Sequence, residues 1–313
     1  DLVFLGTGSS FPAPHRHTAC LAVRFHADGD CWLVDCGESA QVQLVRSGLD
    51  RRRVSRIAVT HLHGDHTYGL PGLLSTVAGR AAPDSTLEVV GPSGIRQLLR
   101  TSLALTRTDA RNGVRLRLRE LAGVPSLMPP SSPGSAELEN LILRAPEFPP
   151  LPYEDVTEPI QCAAPDGGGI WRVCDRLSAA PLRHRIPCVG YRIDIGGPVL
   201  AVLGDTCDSQ LAESLCRGVD CLVHEATVGE SRRDSCVSSG HSTPAMAAEF
   251  ACRVGAKALV LNHFSPLLDN AGVARLLAEG RAAAAGRLPV FAADELRVFQ
   301  LTDQGGLVCS DPH

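Results

Sequence analysis

Four metal-competent side chains fall within six positions of the segment Thr60-His61-Leu62-His63-Gly64-Asp65-His66. Imidazoles and a carboxylate are the donors that zinc takes. His61 and His63 alternate, so in an extended chain they point the same way. Gly64 then turns the chain and carries Asp65 and His66 round to a second point nearby. One metal needs only one such cluster. The spacing predicts two metals sharing a site, a geometry suited to hydrolysing phosphate esters. The segment follows an apolar run, Ile57-Ala58-Val59, that reads as a buried strand.

Two metals of this kind need about three further ligands. Only 11 histidines are available. His184 precedes the strand expected at residues 189–195. Asp205 follows the apolar run 199–203 through Gly204, and His263 follows the run 258–261. Each sits at the end of a predicted strand, where donors gather along one edge of a sheet. The expectation is that His61, His63 and His184 take one zinc. Asp65, His66 and His263 take the other, and Asp205 bridges them with its two oxygens. A zinc-bound water is acidic enough to give hydroxide near neutral pH.

The HxHxDH pattern resembles the metallo-β-lactamase superfamily. That resemblance implies an α/β fold, an αββα sandwich of two mixed β-sheets flanked by helices. The rest of the chain reads consistently with it. Strands are expected at residues 2–5, 20–25, 31–34, 57–60, 87–90, 189–195, 199–203, 221–224 and 258–261. Helices are expected at 40–47, 68–78, 93–105, 244–253 and 270–285. This alternation predicts a layered α/β arrangement, and the two halves share a layout, with candidate ligands at strand ends.

The chain is read as one domain over residues 1–313. From about 124 to 169 it turns rich in proline and glycine and is expected to form a mobile surface insertion. Of the 313 residues, 44% are hydrophobic and only 4% aromatic, so the core is expected to be aliphatic. No apolar run reaches the about 18 residues that a membrane helix needs. A net charge of −4 argues against binding nucleic acid by bulk charge and leaves local basic patches as the route. Arg51, Arg52, Arg53 and Arg56 form one such group. Arg111, Arg115, Arg117 and Arg119 form another, with the spacing to line one face of a strand. The twelve cysteines contain no CxxC pair and lie mostly in apolar segments, which predicts a reducing compartment, most simply the cytoplasm.

Several motifs together are similar to the short form of ribonuclease Z, the tRNA 3′-processing endonuclease. They are Phe4-Leu5-Gly6-Thr7-Gly8, Asp35-Cys36-Gly37-Glu38, the histidine segment running on into Gly69-Leu70-Pro71-Gly72, Leu203-Gly204-Asp205-Thr206, His224-Glu225-Ala226-Thr227, Gly240-His241-Ser242-Thr243-Pro244 and Asn262-His263-Phe264-Ser265. The resemblance implies precursor tRNA as substrate and two Zn2+ ions per chain held by the seven residues above. It implies proton handling by Glu225 and His241, with Asp65 also essential to catalysis. It places Arg16, Ser242 and Thr243 near the substrate, and a homodimer is common in the family. Hydroxide would attack phosphorus and the ribose 3′-oxygen would leave, and a histidine held by a carboxylate can protonate it. Ser242-Thr243-Pro244 also reads as a helix start.

Three departures stand out. The long arm by which many members grip tRNA is missing, because only residues 194–198 join two strands and Gly196-Gly197 reads as a hairpin turn. The early loop Pro12-Ala13-Pro14-His15-Arg16-His17 keeps the arginine of a family PxKxRN motif but not its lysine or asparagine. Asn262 stands where threonine is common. Two other functions compete: a phosphodiesterase acting on small phosphate diesters, and a non-catalytic scaffold that binds RNA or a partner.

Overall fold

The structure is a computed structural model that describes residues 1–78, 85–108, 114–129, 147–163, 169–302 and 305–310. Arg111 and much of the expected insertion (130–146 and 164–168) lie outside the described residues.

Short aliphatic runs ended by Gly, Asp or Pro become strands. The first sheet takes β1 (Leu2–Gly6), β2 (Cys20–Arg24), β3 (Cys31–Val34), β4 (Val54–Ala58), β5 (Thr86–Pro92) and β6 (Arg115–Leu121). The second takes β7 (Trp171–Cys174), β8 (Leu177–Leu182), β9 (Cys188–Asp194), β10 (Val199–Leu203), β11 (Cys221–Glu225), β12 (Leu259–Asn262) and β13 (Val290–Ala292). The closing strands β14 (Val298–Leu301) and β15 (Leu307–Ser310) return to the first sheet, giving the order β15-β14-β1-β2-β3-β4-β5-β6. The second sheet runs β13-β12-β11-β10-β9-β8-β7. Both sheets are mixed: β3 to β6 pair in parallel, as do β10 to β13.

Side chains alternate along each strand, so one strand feeds two cores. Leu2 and Phe4, with Val34 and Ala58, face the second sheet and its Leu200 and Val202. Val3 and Leu5 face outward, with Leu33 and Ile57, under the helices Ala40–Arg46, Leu70–Ala78 and Ile95–Leu105. The helices Pro244–Val254 and Asn270–Ala284 cover the second sheet through Ala247, Ala251 and Leu276. This is the αββα sandwich. Burial on both faces explains why the strands read as continuous apolar runs. Tyr191 on β9 ties the layers, its hydroxyl donating to Val59 O of the first sheet at 2.7 Å. Among the described residues, no helix is long and apolar enough to cross a membrane.

Two sequence features take structural roles. Two of the alternating arginines, Arg117 and Arg119, join Arg56 around a single carboxylate, Glu88, while Arg115 pairs with Asp155. Arg56 Nε lies 2.8 Å from Glu88, with Arg119 and Arg117 Nη1 at 3.7 and 3.9 Å. Arg56 also lies over the Trp32 ring at 4.2 Å. Part of the expected mobile insertion is anchored. Residues 151–160 run beside the edge strand β6, with Asp155 N donating to Leu116 O and Ile160 N to Glu120 O. This covers an otherwise open edge. Arg100 clamps the same segment by a two-pronged contact to Glu154, 2.7 Å and 2.9 Å. The β9–β10 connection is a tight turn, in which Gly196 and Gly197 have φ of 92° and 133° and Asp194 Oδ1 accepts from Gly196 N. Positive φ at both positions is what glycine supplies.

Candidate metal centre

The parallel strands of the two sheets end along a common edge, and the chemistry collects there. β4 leads into His61, His63, Asp65 and His66, β8 into His184, β10 into Asp205, and β12 into His263. Donor atoms of His61, His63, His184 and Asp205 lie within 4.8 Å of one another, and those of Asp65, His66 and His263 do the same. Asp205 stands between the groups. Its Oδ1 lies 3.3 Å from His263 Nε2 and 3.5 Å from His66 Nε2, and its Oδ2 lies 3.6 Å from His61 Nε2. The structure thus brings together all seven residues singled out in the sequence.

The cluster is positioned by groups around it. Asp35, at the end of β3, accepts from the backbone N–H of Thr60 (2.7 Å) and holds His66 Nδ1 at 2.8 Å. His184 Nδ1 sits 2.9 Å from Gly240 O, so it donates there and leaves Nε2 turned inward. Asp65 Oδ2 accepts from Ser10 N at 2.6 Å. His263 has a φ of 60°, an unusual conformation for a residue with a side chain. It is held by Phe264 N donating to Thr7 O, with Thr227 Oγ1 packed 3.0 Å from His263 O. Close packing requires Gly204 beside Thr60, whose Cβ would be 2.6 Å from any added methyl group.

A cation fits this arrangement. His63 Nδ1 lies 3.1 Å from His61 Nε2 and 3.2 Å from His184 Nε2. His66 Nε2 lies 3.1 Å from His263 Nε2. Three inward-facing ring nitrogens cannot all be satisfied by sharing protons, whereas a metal accepts a lone pair from each. Burial, reinforced by neighbouring rings, holds His61 well below the ordinary histidine value. Burial also brings His63 down to about 4 and lowers His184. Neutral imidazole is the form that binds metal. On the other side burial opposes the charge on His66, yet Asp205, Asp35 and Asp65 outweigh it and lift the group to about 10. Burial would likewise raise Asp65, but His66 and His263 hold its carboxyl far below the usual range. Three carboxylates around these two imidazoles thus supply the negative charge that a divalent ion needs. Nitrogen and oxygen donors together suit zinc.

His241 stands at the rim with its side chain 19% exposed. Its Nδ1 is 3.2 Å from Glu225 Oε1 and 3.7 Å from Asp205 Oδ2. Glu225 is buried and fully engaged: Oε1 also accepts from Thr206 N, and Oε2 accepts from the Thr227 hydroxyl and Ser242 N. Burial opposes the positive form of His241, but Glu225 and Asp205 raise it to about 9.

The remaining expected residues lie deeper. Ser242 is buried and donates its hydroxyl to Thr206 O. Thr243 is buried, donates to Glu230 and caps the Pro244–Val254 helix. Arg16 is buried over the Phe264 ring. Sequence reasoning missed the supports Asp35 and Thr227. Asp35 had a signal, being a carboxylate that ends an apolar strand, but no metal-ligand spacing. Thr227 had none beyond its place in the His224-Glu225-Ala226-Thr227 motif.

The sandwich with a histidine and aspartate cluster on its edge defines a metal-dependent hydrolase of the β-lactamase superfamily. Residues 152–264 match the profile of the beta-lactamase superfamily domain, and residues 1–119 match that of the anti-Pycsar protein Apyc1. The chain belongs to the ribonuclease Z family. It is 34% identical to ribonuclease Z of Shouchella clausii, covering 97% of this chain and 98% of that one. It is 30% identical to human zinc phosphodiesterase ELAC protein 1, covering 88% and 89%. The crystal structure of human tRNase Z, short form, superposes with a TM-score of 0.70 at 29% identity over 94% of this chain and 96% of that chain.

Proposed function

We propose that this chain is a zinc endoribonuclease that cuts the 3′ trailer from precursor tRNA, leaving a 3′-hydroxyl on the tRNA and a 5′-phosphate on the trailer. The observation that carries this is the Glu225–His241 pair at the rim of a two-part histidine and aspartate cluster, in a ribonuclease Z chain.

In this reading His61, His63 and His184 would hold one zinc, Asp65, His66 and His263 would hold a second, and Asp205, between the two groups, would serve both. When bound, the zinc pair lowers the pKa of a water and neutralises charge on the phosphate. The protein's own groups do the rest. Asp65, fixed by Ser10 N, holds its side of the cluster in place, so catalysis depends on it. His241 gives its proton to the departing ribose 3′-oxygen. Glu225 fixes the ring by its Nδ1 and favours the protonated form. Ser242 and Thr243 serve as positioning residues: Ser242 N anchors Glu225, and Thr243 fixes the helix start beside His241.

We take residues 1–313 as one domain in which the family's tRNA-gripping arm is absent near residues 194–198, where the chain forms only a turn. Val42 and Val45 are 57% and 51% exposed on one face of the Ala40–Arg46 helix, which offers an apolar surface for a homodimer. Twelve cysteines without a disulfide support a reducing, cytoplasm-like compartment.

The test is an end-labelled precursor tRNA incubated with the protein, with and without chelator, and the cut mapped to the nucleotide. A single chelator-sensitive cut at the trailer junction supports the proposal. The short turn at residues 194–198 favours a second reading, hydrolysis of small phosphate diesters. Cleavage of a chromogenic diester with the precursor left intact would establish that reading instead.

A further inference from the structure

Arg16 is a buried cation that the metal centre does not use. It is 6% exposed, and among the described residues its one side-chain hydrogen bond runs from Nη1 to Thr7 Oγ1 at 2.8 Å. Its Nε is buried with no partner, and no carboxylate of the described residues lies within ion-pair distance. Glu295, the nearby acid, is already taken by His17 and Gln43. A guanidinium offers five donors, so most of this one's capacity is unspent. Burying a charge without a counter-charge is costly. An anion from outside the fold would complete it.

Arg16 faces a cavity of about 430 Å³ that has room for such a ligand. The cavity lies between the Asn270–Ala284 helix and strands β13 and β14. Arg281 lines it with Arg16, while Arg297 at the same wall is paired with Asp294 at 3.8 Å. With Arg297 and Asp294 paired to each other, Arg16 and Arg281 are the cations left facing the cavity. Arg281 fixes its Nε on Val290 O at 3.1 Å, which leaves its terminal nitrogens for a ligand. Leu277 and Phe291 form an apolar wall. Forked guanidinium donors match the oxygens of a phosphate group. The volume exceeds that of bare phosphate, and the apolar wall suits an organic remainder.

We infer that this cavity binds a phosphate ester of mononucleotide size, its phosphate held by Arg16 and Arg281. The site is separate from the metal centre and does not depend on the function proposed above. Phe264, which follows His263 and lies under Arg16, stands between the two.

The test is calorimetric titration of the metal-loaded full chain with inorganic phosphate, a nucleoside 5′-monophosphate and a short RNA. The metal centre also attracts phosphate, so two classes of site are expected in the wild type. Arg281→Glu should weaken one class at least tenfold, and Asp294→Asn should tighten the same class several-fold. Bound metal, measured by mass spectrometry, should stay unchanged in both. Tighter binding of the nucleotide than of phosphate supports an organic phosphate. A single class of site in the wild type, or no change in either variant, overturns the site. Equal affinity for phosphate and nucleotide overturns the role of the apolar wall. Binding of the RNA alone overturns a small ligand.

Discussion

His241 Nδ1 lies 3.2 Å from Glu225 Oε1, and this contact fixes which edge of the imidazole is free. Glu225 takes one ring nitrogen, so the other is left for a substrate. His241→Ala should therefore lower the rate of the chemical step by ~10²–10⁴-fold. Bound metal should be retained, as read by mass spectrometry alongside single-turnover cleavage. Loss of metal in this variant would make His241 a ligand and end its assignment as proton donor.

Asp65→Ala should abolish cleavage while leaving the fold largely intact. The residue sits on the short helix Gly64–Thr67 at the sheet edge, and both hydrophobic cores are built from other residues. Circular dichroism and a cleavage assay on the same sample check this. A global loss of secondary structure would show that Asp65 is structural first.

Asp35 touches no expected substrate position, yet it holds His66 and the Thr60 backbone. Asp35→Asn should lower metal affinity by roughly 10–100-fold, the usual effect of loosening a group that orients a ligand. Chelator competition reads it directly. Affinity equal to the wild type would mean that the ring is oriented without this carboxylate.

Stripping the metal should stop cleavage and also lower the melting temperature. Without a cation, three carboxylates and several ring nitrogens face one another at close range, whereas a ligand that binds only the folded state stabilises it. Thermal melts with and without chelator measure the difference, and equal melting temperatures would refute coupling between the site and the fold.

Arg100 and Glu154 are both almost fully buried, at 4% and 0% side-chain exposure. Arg100→Met leaves the carboxylate unpaired and should cost about 3–5 kcal/mol in urea unfolding. Adding Glu154→Leu should recover much of that loss, because an apolar pair removes the stranded charge. A double variant no better than the single would place the effect in packing.

The seven clustered residues were legible because several imidazoles at strand ends leave a chemical trace that a core does not. Asp35 was less so, since a lone carboxylate after a strand looks like any turn. The alternating Arg115, Arg117 and Arg119 announced a strand but not which way it faced. Partners distant in sequence, Glu88 and Asp155, decided that all three would brace the sheet edge. Strands β7, β8 and β13 to β15 escaped notice because they are short, and several carry polar or proline residues. Residues 151–160 looked like loose loop, because docking on an edge needs only backbone groups and leaves no side-chain pattern. Arg16 was expected near the substrate from its motif alone, and sequence carries no record of burial.

The hydrogen bond from Tyr191 to Val59 has a consequence for inheritance as well as for shape. Each layer of the sandwich supplies only part of the cage, and that bond helps to keep the layers in register. A gene cut between the halves would encode two polypeptides that are each inert. Mixing the separately produced pieces should restore the catalyst only to the extent that they dock.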